Sequence, residues 1–144
     1  MKINYTLVAP NAKPLTKAHP DDAGYDLRAR TTQTIQPGER TLIGTGVAVK
    51  FPAGTVGMVH SRSGLALKGI AVANAPGVVD AGFTGEIGVI LENRSKTPYT
   101  AHEGDRIAQL VPLELAPLEL QAVPRENFDT DTARGANGFG STGK

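Results

Sequence analysis

The chain has no cysteine and no tryptophan, and its aromatic residues are three tyrosines and four phenylalanines. The lack of cysteine removes disulfides, thiolate nucleophiles and Cys-rich zinc sites together. The three histidines, His19, His60 and His102, show no metal-ligand spacing, so any metal has to arrive with a substrate or bind carboxylates. Charge of one sign is also scarce. Fifteen basic and fourteen acidic residues leave a net charge of +1. So even a balance offers no long electrostatic footprint for duplex nucleic acid or an anionic membrane, and no direct nucleic-acid binding is expected. No apolar run reaches the length needed to cross a bilayer, and the opening MKINYTLVAPNAKP lacks the basic-then-apolar pattern of a secretory signal. The expectation is a soluble, cytoplasmic protein with no membrane partner. Its 144 residues suit one core, since a chain of this size buries roughly 70% of its unfolded surface.

What is present is punctuation. Seventeen glycines and ten prolines leave few windows for a three-turn helix, while short β-branched runs recur between them. In TLIGTGVAVKF, Ile43, Thr45, Val47, Val49 and Phe51 share one face, and GEIGVILEN repeats the pattern through Ile87, Val89 and Leu91. Further strands are expected at Ile3 to Val8, Tyr25 to Ala29, Val56 to His60, Ile107 to Leu113 and Leu118 to Val123, with a short helix from Ser63 to Gly69. Many short strands with polar turns predict an all-β sandwich, jelly roll or small barrel over residues 1–123. Residues 124–144, rich in Asp, Thr, Asn and Gly, read as a flexible tail.

That tail ends in RGANGFGSTGK, in which Gly138, Gly143 and Lys144 mimic a phosphate-binding loop. Such a loop needs a hydroxyl residue after its lysine, and a strand before it with a helix after it. Neither is present, so the match is rejected. What survives is an arm bearing a guanidinium at Arg134, a ring at Phe139 and hydroxyls at Ser141 and Thr142; judged alone, it reads as a solvated terminus.

Four other segments carry chemistry. HSRSG places Arg62 and Ser63 at a strand end, where a planar cation, a hydroxyl and nearby amides can hold phosphate, or where Ser63 simply caps a helix. NAPGVVDAGFTGE reads as a hairpin presenting its own backbone, with Asp80 able to orient water or a sugar hydroxyl and Phe83 offering a flat surface; a turn-capping Asp and a core Phe are equally compatible. In GDRIAQL, alternation directs the Gln109 amide to the face of Ile107 and Val111, so it needs a polar partner. In DAGYDLRA, Asp26 sits on an apolar strand, where pairing with Arg28 or another strand is the ordinary explanation.

Together and in this order, these segments resemble the trimeric dUTP diphosphatase family over nearly the whole chain. The resemblance implies a jelly-roll-like β domain with one short helix, a homotrimer whose active sites each draw on three subunits, and magnesium-dependent hydrolysis of dUTP to dUMP and pyrophosphate. That reaction limits uracil incorporation into DNA and supplies dUMP for thymidylate synthesis. Carried over by motif, Arg62, Ser63, Gly64 and Gln109 bind the phosphates. The stretch from Asn74 through Gly77 and Val78 reads uracil through backbone groups, and Asp80 holds the sugar hydroxyl and the attacking water. Phe83 stands beneath the sugar where the family commonly has tyrosine. Asp26 acts on metal-bound waters or in inter-subunit support, with Mg2+ held mainly by the triphosphate and no direct protein ligand. The arm crosses to another subunit, bringing Arg134, Phe139, Gly140, Ser141 and Thr142 over the nucleotide. The related dCTP deaminases are disfavoured because Ile90 and Leu67 fall where those enzymes carry a glutamate and an arginine. A nucleotide-responsive binding protein is the reading from a different class.

Overall fold

The alternation of RTLIGTGVAVK folds as the longest strand in a computed structural model, in which residues 1–136 are described. In chain order the strands are β1 (Asn4–Leu7), β2 (Tyr25–Arg28), β3 (Gln33–Ile35), β4 (Arg40–Lys50), β5 (Thr55–His60), β6 (Ile70–Val72), β7 (Gly77–Val79), β8 (Glu86–Asn93), β9 (Tyr99–Ala101) and β10 (Arg106–Glu114). One turn of helix, α1 (Ser63–Ala66), separates β5 from β6, and a 3-10 turn spans Arg125–Asn127. Two four-stranded antiparallel sheets, ordered β1-β4-β8-β6 and β2-β10-β5-β7, supply the core of the expected jelly-roll-like β domain; β3 and β9 form a separate ribbon.

The inner faces follow the predicted periodicity. Ile43, Thr45, Val47, Val49 and Phe51 are all buried, and from the facing strand so are Ile87, Val89 and Leu91. Leu27, Ala108, Leu110 and Val59 meet them from the other sheet in one continuous cluster. The β4–β8 register shifts between Gly44 and Ala48, and Gly46 there has a φ of +68° with Ala12 pressed against its α-carbon. A side chain at Gly46 would have no room, so the bulge requires glycine. The Glu86 carboxylate secures it by accepting from the Gly46 amide and from Arg30 Nε, each at 2.7 Å.

Buried polar groups are paired. Thr45 Oγ1 donates to the Ile87 carbonyl at 2.7 Å. Asn93 Nδ2 donates to the carbonyls of Ile35 and Thr97, while its Oδ1 accepts from the Ser95 amide and hydroxyl. At the surface, Arg94 first, and then Arg40, hold the Glu92 carboxyl below its usual range against an opposing contribution from burial. A depressed folded value means that this small stabilisation exists above the unfolded pKa and fades as pH falls through the folded one.

Two sequence expectations are corrected. Leu118 to Val123 is not a strand: alternation supplies the pattern, but no strand among the described residues pairs with it. Leu118 and Leu120 are fully or nearly fully exposed, with Pro117 and Pro124 interrupting the backbone donors. Nor is Asn74 to Glu86 a self-paired hairpin. β7 pairs with β5 in one sheet and β8 with β4 and β6 in the other, so the segment crosses between sheets. No helix among the described residues is long and apolar enough to cross a membrane.

Candidate active site

Strand β5 runs antiparallel to β10 until His60 faces Gln109; the chain then leaves the sheet through Ser61 and Arg62 into α1. The Ser61 hydroxyl accepts from the Val72 amide at 2.8 Å, which fixes the exit direction. Arg62 occupies the N-cap position, and the amides of Leu65 and Ala66 both bond to its carbonyl. Ser63 is therefore the first residue of the turn and not its cap, so its hydroxyl is not committed to holding the helix. Around Gly64 an added β-carbon would meet nothing within 4 Å. Packing does not demand glycine there, whereas close approach of a ligand would.

The conflict expected at Gln109 is resolved by a bulge. Against β2, the register of β10 slips between Arg106 and Ala108, so that Ile107 is an extra residue. Ile107, Ala108 and Leu110 are buried, while Gln109 and Val111 are only partly so. The Gln109 amide thus points away from the core and donates from Nε2 to the Ser61 carbonyl at 3.2 Å. Opposite it, Gly24 lies so close that a β-carbon would fall 2.8 Å from Gln109 Oε1. Gly24 is thus what lets the amide reach the cleft.

Asp26, directly across from Gln109 in the β2–β10 pair, faces the same space. Its partner is not Arg28, whose Nη1 donates to the Gly104 carbonyl at 2.9 Å. Instead, Oδ1 lies 3.9 Å from Arg62 Nε and Oδ2 lies 3.6 Å from Arg106 Nη1. Arg62 Nη1 also donates to the Arg106 carbonyl at 2.9 Å. Both ion pairs are longer than a hydrogen bond, so the two guanidiniums converge on the mostly buried Asp26 carboxylate without being locked to it. Together with Asp22, Gly24, Ser63 and Gly64, these residues line an open cleft of about 300 Å³. Sequence reading overlooked Arg106 and Gly24. Arg106 stood beside the singled-out Gln109, and Gly24 two residues before Asp26, but alternation alone hid the bulge that gathers them.

The Asn74 to Phe83 stretch runs beside β5 and away from the cleft, and none of it is among the residues lining the cleft. Val79 is paired with Gly57, so the next register step sets Asp80 level with Val56, about 13 Å along β5 from His60 at 3.3 Å per residue. The Phe83 amide donates to the Asp80 carbonyl at 3.0 Å, closing a turn on which both residues are exposed. Phe83 is 45% exposed and rests against Gly85, which excludes the core-Phe alternative. Val78 is exposed, Gly77 is buried beneath the Asn74 amide, and β7 is a sheet edge whose outer backbone groups have no strand partner among the described residues. Asn74 itself borders a different hollow, with Arg30, Glu86 and Ile90. Arg134 is described, exposed and engaged in an interaction. Phe139, Gly140, Ser141 and Thr142 lie outside the described residues.

Two arginines, a hydroxyl, an amide and a glycine-lined turn at a sheet end define an all-β domain of the class that handles phosphorylated ligands. Comparison with known proteins narrows that class. The dUTPase family model matches residues 10–143. The deoxyuridine 5'-triphosphate nucleotidohydrolase of Rhodococcus erythropolis is 50% identical over 129 residues, covering 88% of this chain and 77% of the relative. That of Gloeothece citriformis is 44% identical over 144 residues, covering 99% and 97%. Among solved structures, a mutant dUTPase of Staphylococcus bacteriophage 80alpha with dUpNHpp is similar at a TM-score of 0.89, 30% identity and 99% coverage of both chains. A mutant dUTPase from phage phi11 of S. aureus, described with a structural Mg(II) ion, is similar at a TM-score of 0.81 and 30% identity, covering 89% and 100%. The chain belongs to the dUTPase family.

Proposed function

We propose that the chain carries out its family's reaction, hydrolysis of dUTP to dUMP and pyrophosphate, at a site assembled from three copies of itself. The supporting observation is a separation: the cleft of Arg62, Ser63, Gly64 and Gln109 has phosphate-type donors, but Asp80 and Phe83 are not among its lining residues. Site completion then requires the loop of a second copy, and the arm of a third closes over both.

In this arrangement Arg62 holds phosphate oxygens in a planar fork, with Ser63, Gly64 amide and Gln109 supplying shorter contacts. The free edge of β7 at Gly77 and Val78, with Asn74, reads the uracil edge through backbone groups. Phe83 packs beneath the deoxyribose and leaves no room for a 2'-hydroxyl. Asp80 holds the sugar hydroxyl and positions the water. Carboxylates are weak bases at neutral pH, so its main role is alignment. The water oxygen bonds to the α-phosphorus as the bond from that phosphorus to the bridging oxygen breaks; pyrophosphate leaves, and the water's proton passes late to the Asp80 carboxylate. Arg134, Phe139, Gly140, Ser141 and Thr142 exclude bulk water and add positive charge near the leaving pyrophosphate.

The protein's residues fit Mg2+ of a particular kind. Among the described residues no group of three or more His, Asp or Glu side chains could cage a metal. The cleft offers only Asp22 and Asp26. That set suits a hard cation that keeps water and phosphate ligands, with Asp26 acting through water. Bound so, Mg2+ supplies charge neutralisation and restrains the triphosphate. The working location is the cytoplasm.

Parallel incubation with magnesium and dUTP, dCTP, dTTP or UTP tests the reading. Pyrophosphate and dUMP from dUTP alone, with no ammonia from dCTP, is the expected result. Ammonia release, or equal cleavage of UTP, would overturn the assigned reaction or the sugar selectivity.

A further inference from the structure

We propose that Arg106 is a positioning residue of the phosphate cleft, setting the attitude of Arg62 both through Asp26 and through its own main-chain carbonyl. The proposal rests on the phosphate reading of that cleft.

Arg106 meets Arg62 twice. Its carbonyl accepts from Arg62 Nη1 at 2.9 Å. Its guanidinium shares a counterion with Arg62, because the Asp26 carboxylate is divided: Oδ1 faces Arg62 Nε and Oδ2 faces Arg106 Nη1. The bulge at Ile107 makes this possible by letting Arg106 pair with Arg28 while the following residues step back onto the core. The Asp26 side chain is mostly buried, whereas both guanidiniums are partly exposed, so the carboxylate is the fixed point and the arginines are arranged about it.

The division matters for binding. A guanidinium held on one edge by a carbonyl and on another by a distant carboxylate has a set plane, so less freedom is lost when phosphate arrives. The distances also matter. At 3.9 Å Asp26 is too far from Arg62 Nε for a hydrogen bond, which leaves that guanidinium available to a stronger acceptor. Without the Arg106 side chain, Arg62 is the one remaining side-chain cation among the described residues lining the cleft, and Asp26 draws it into direct contact, competing with the triphosphate. Arg106 therefore acts on substrate binding through Arg62, and much less on the chemical step.

The test is a double-mutant cycle in kcat and KM for dUTP with Arg106→Gln, Arg62→Gln and the pair. Arg106→Gln is expected to raise KM about tenfold with kcat within about twofold. Arg106→Lys, which keeps a cation for Asp26, is expected to recover most of that loss. Added to Arg62→Gln, Arg106→Gln is expected to change nothing further. The Arg106 side chain is 42% exposed, so the core is untouched and the melting temperature should hold. An unchanged KM in Arg106→Gln, a fall confined to kcat, or losses that multiply in the pair would each overturn the proposal. Normal kinetics in Arg62→Gln would instead remove the phosphate reading beneath it.

Discussion

Asp80→Asn lowers kcat for dUTP by about 10²–10⁴-fold, the range for losing a group that aligns and accepts in the transition state, while nucleotide affinity stays within about threefold. The substitution is nearly isosteric. Asp80 is exposed on a turn, and the bond that defines that turn comes from the Phe83 amide to the Asp80 carbonyl, which the amide side chain leaves intact. The fold therefore has no reason to suffer. Loss of the carboxylate removes a charge that orients the water, but Asn still meets the sugar hydroxyl. Binding of a non-hydrolysable dUTP analogue separates the two effects. Near-normal turnover would take Asp80 out of the mechanism.

Deleting residues 134–144 lowers kcat/KM by about 10²–10³-fold, on the scale of losing an oxyanion-type donor together with water exclusion. The last strand among the described residues, β10, ends at Glu114, so the truncation leaves every described strand in place. Assembly and melting temperature should accordingly be preserved, as size-exclusion chromatography and thermal unfolding would report. A truncated protein with full activity would reduce the arm to an ordinary terminus.

The fold was largely legible because its longest strands are amphipathic in a simple way. Ile43, Thr45, Val47, Val49 and Phe51 alternate without interruption, and all are buried. Short segments were less readable. Gln33–Ile35, Ile70–Val72 and Tyr99–Ala101 are three-residue strands, too brief for a period to declare itself. Leu118 to Val123 misled in the opposite sense, since a periodic pattern specifies a strand only when a neighbour is there to pair with it. At the site, Arg62, Ser63 and Gln109 were found by residue type and motif order. The detail that escaped was geometric. A single extra residue at Ile107 turns Gln109 outward, brings Arg106 to Asp26 and makes Gly24 the close neighbour of an amide. No local signal in GDRIAQL marks that bulge, because Ile107 and Ala108 are both apolar and both buried.

The claim that the cleft of one copy works with the Asp80 loop of another is tested most directly by complementation. Arg62→Gln and Asp80→Asn variants, each nearly inactive alone, would be co-expressed with different tags, and doubly tagged assemblies assayed for pyrophosphate release from dUTP. A shared site predicts recovery to about one third of wild-type activity in the doubly tagged assemblies, since each mixed trimer has one junction of three where an intact cleft meets an intact loop. Mixed assemblies no more active than the separate variants would place both residues in the site of a single copy and contradict the account.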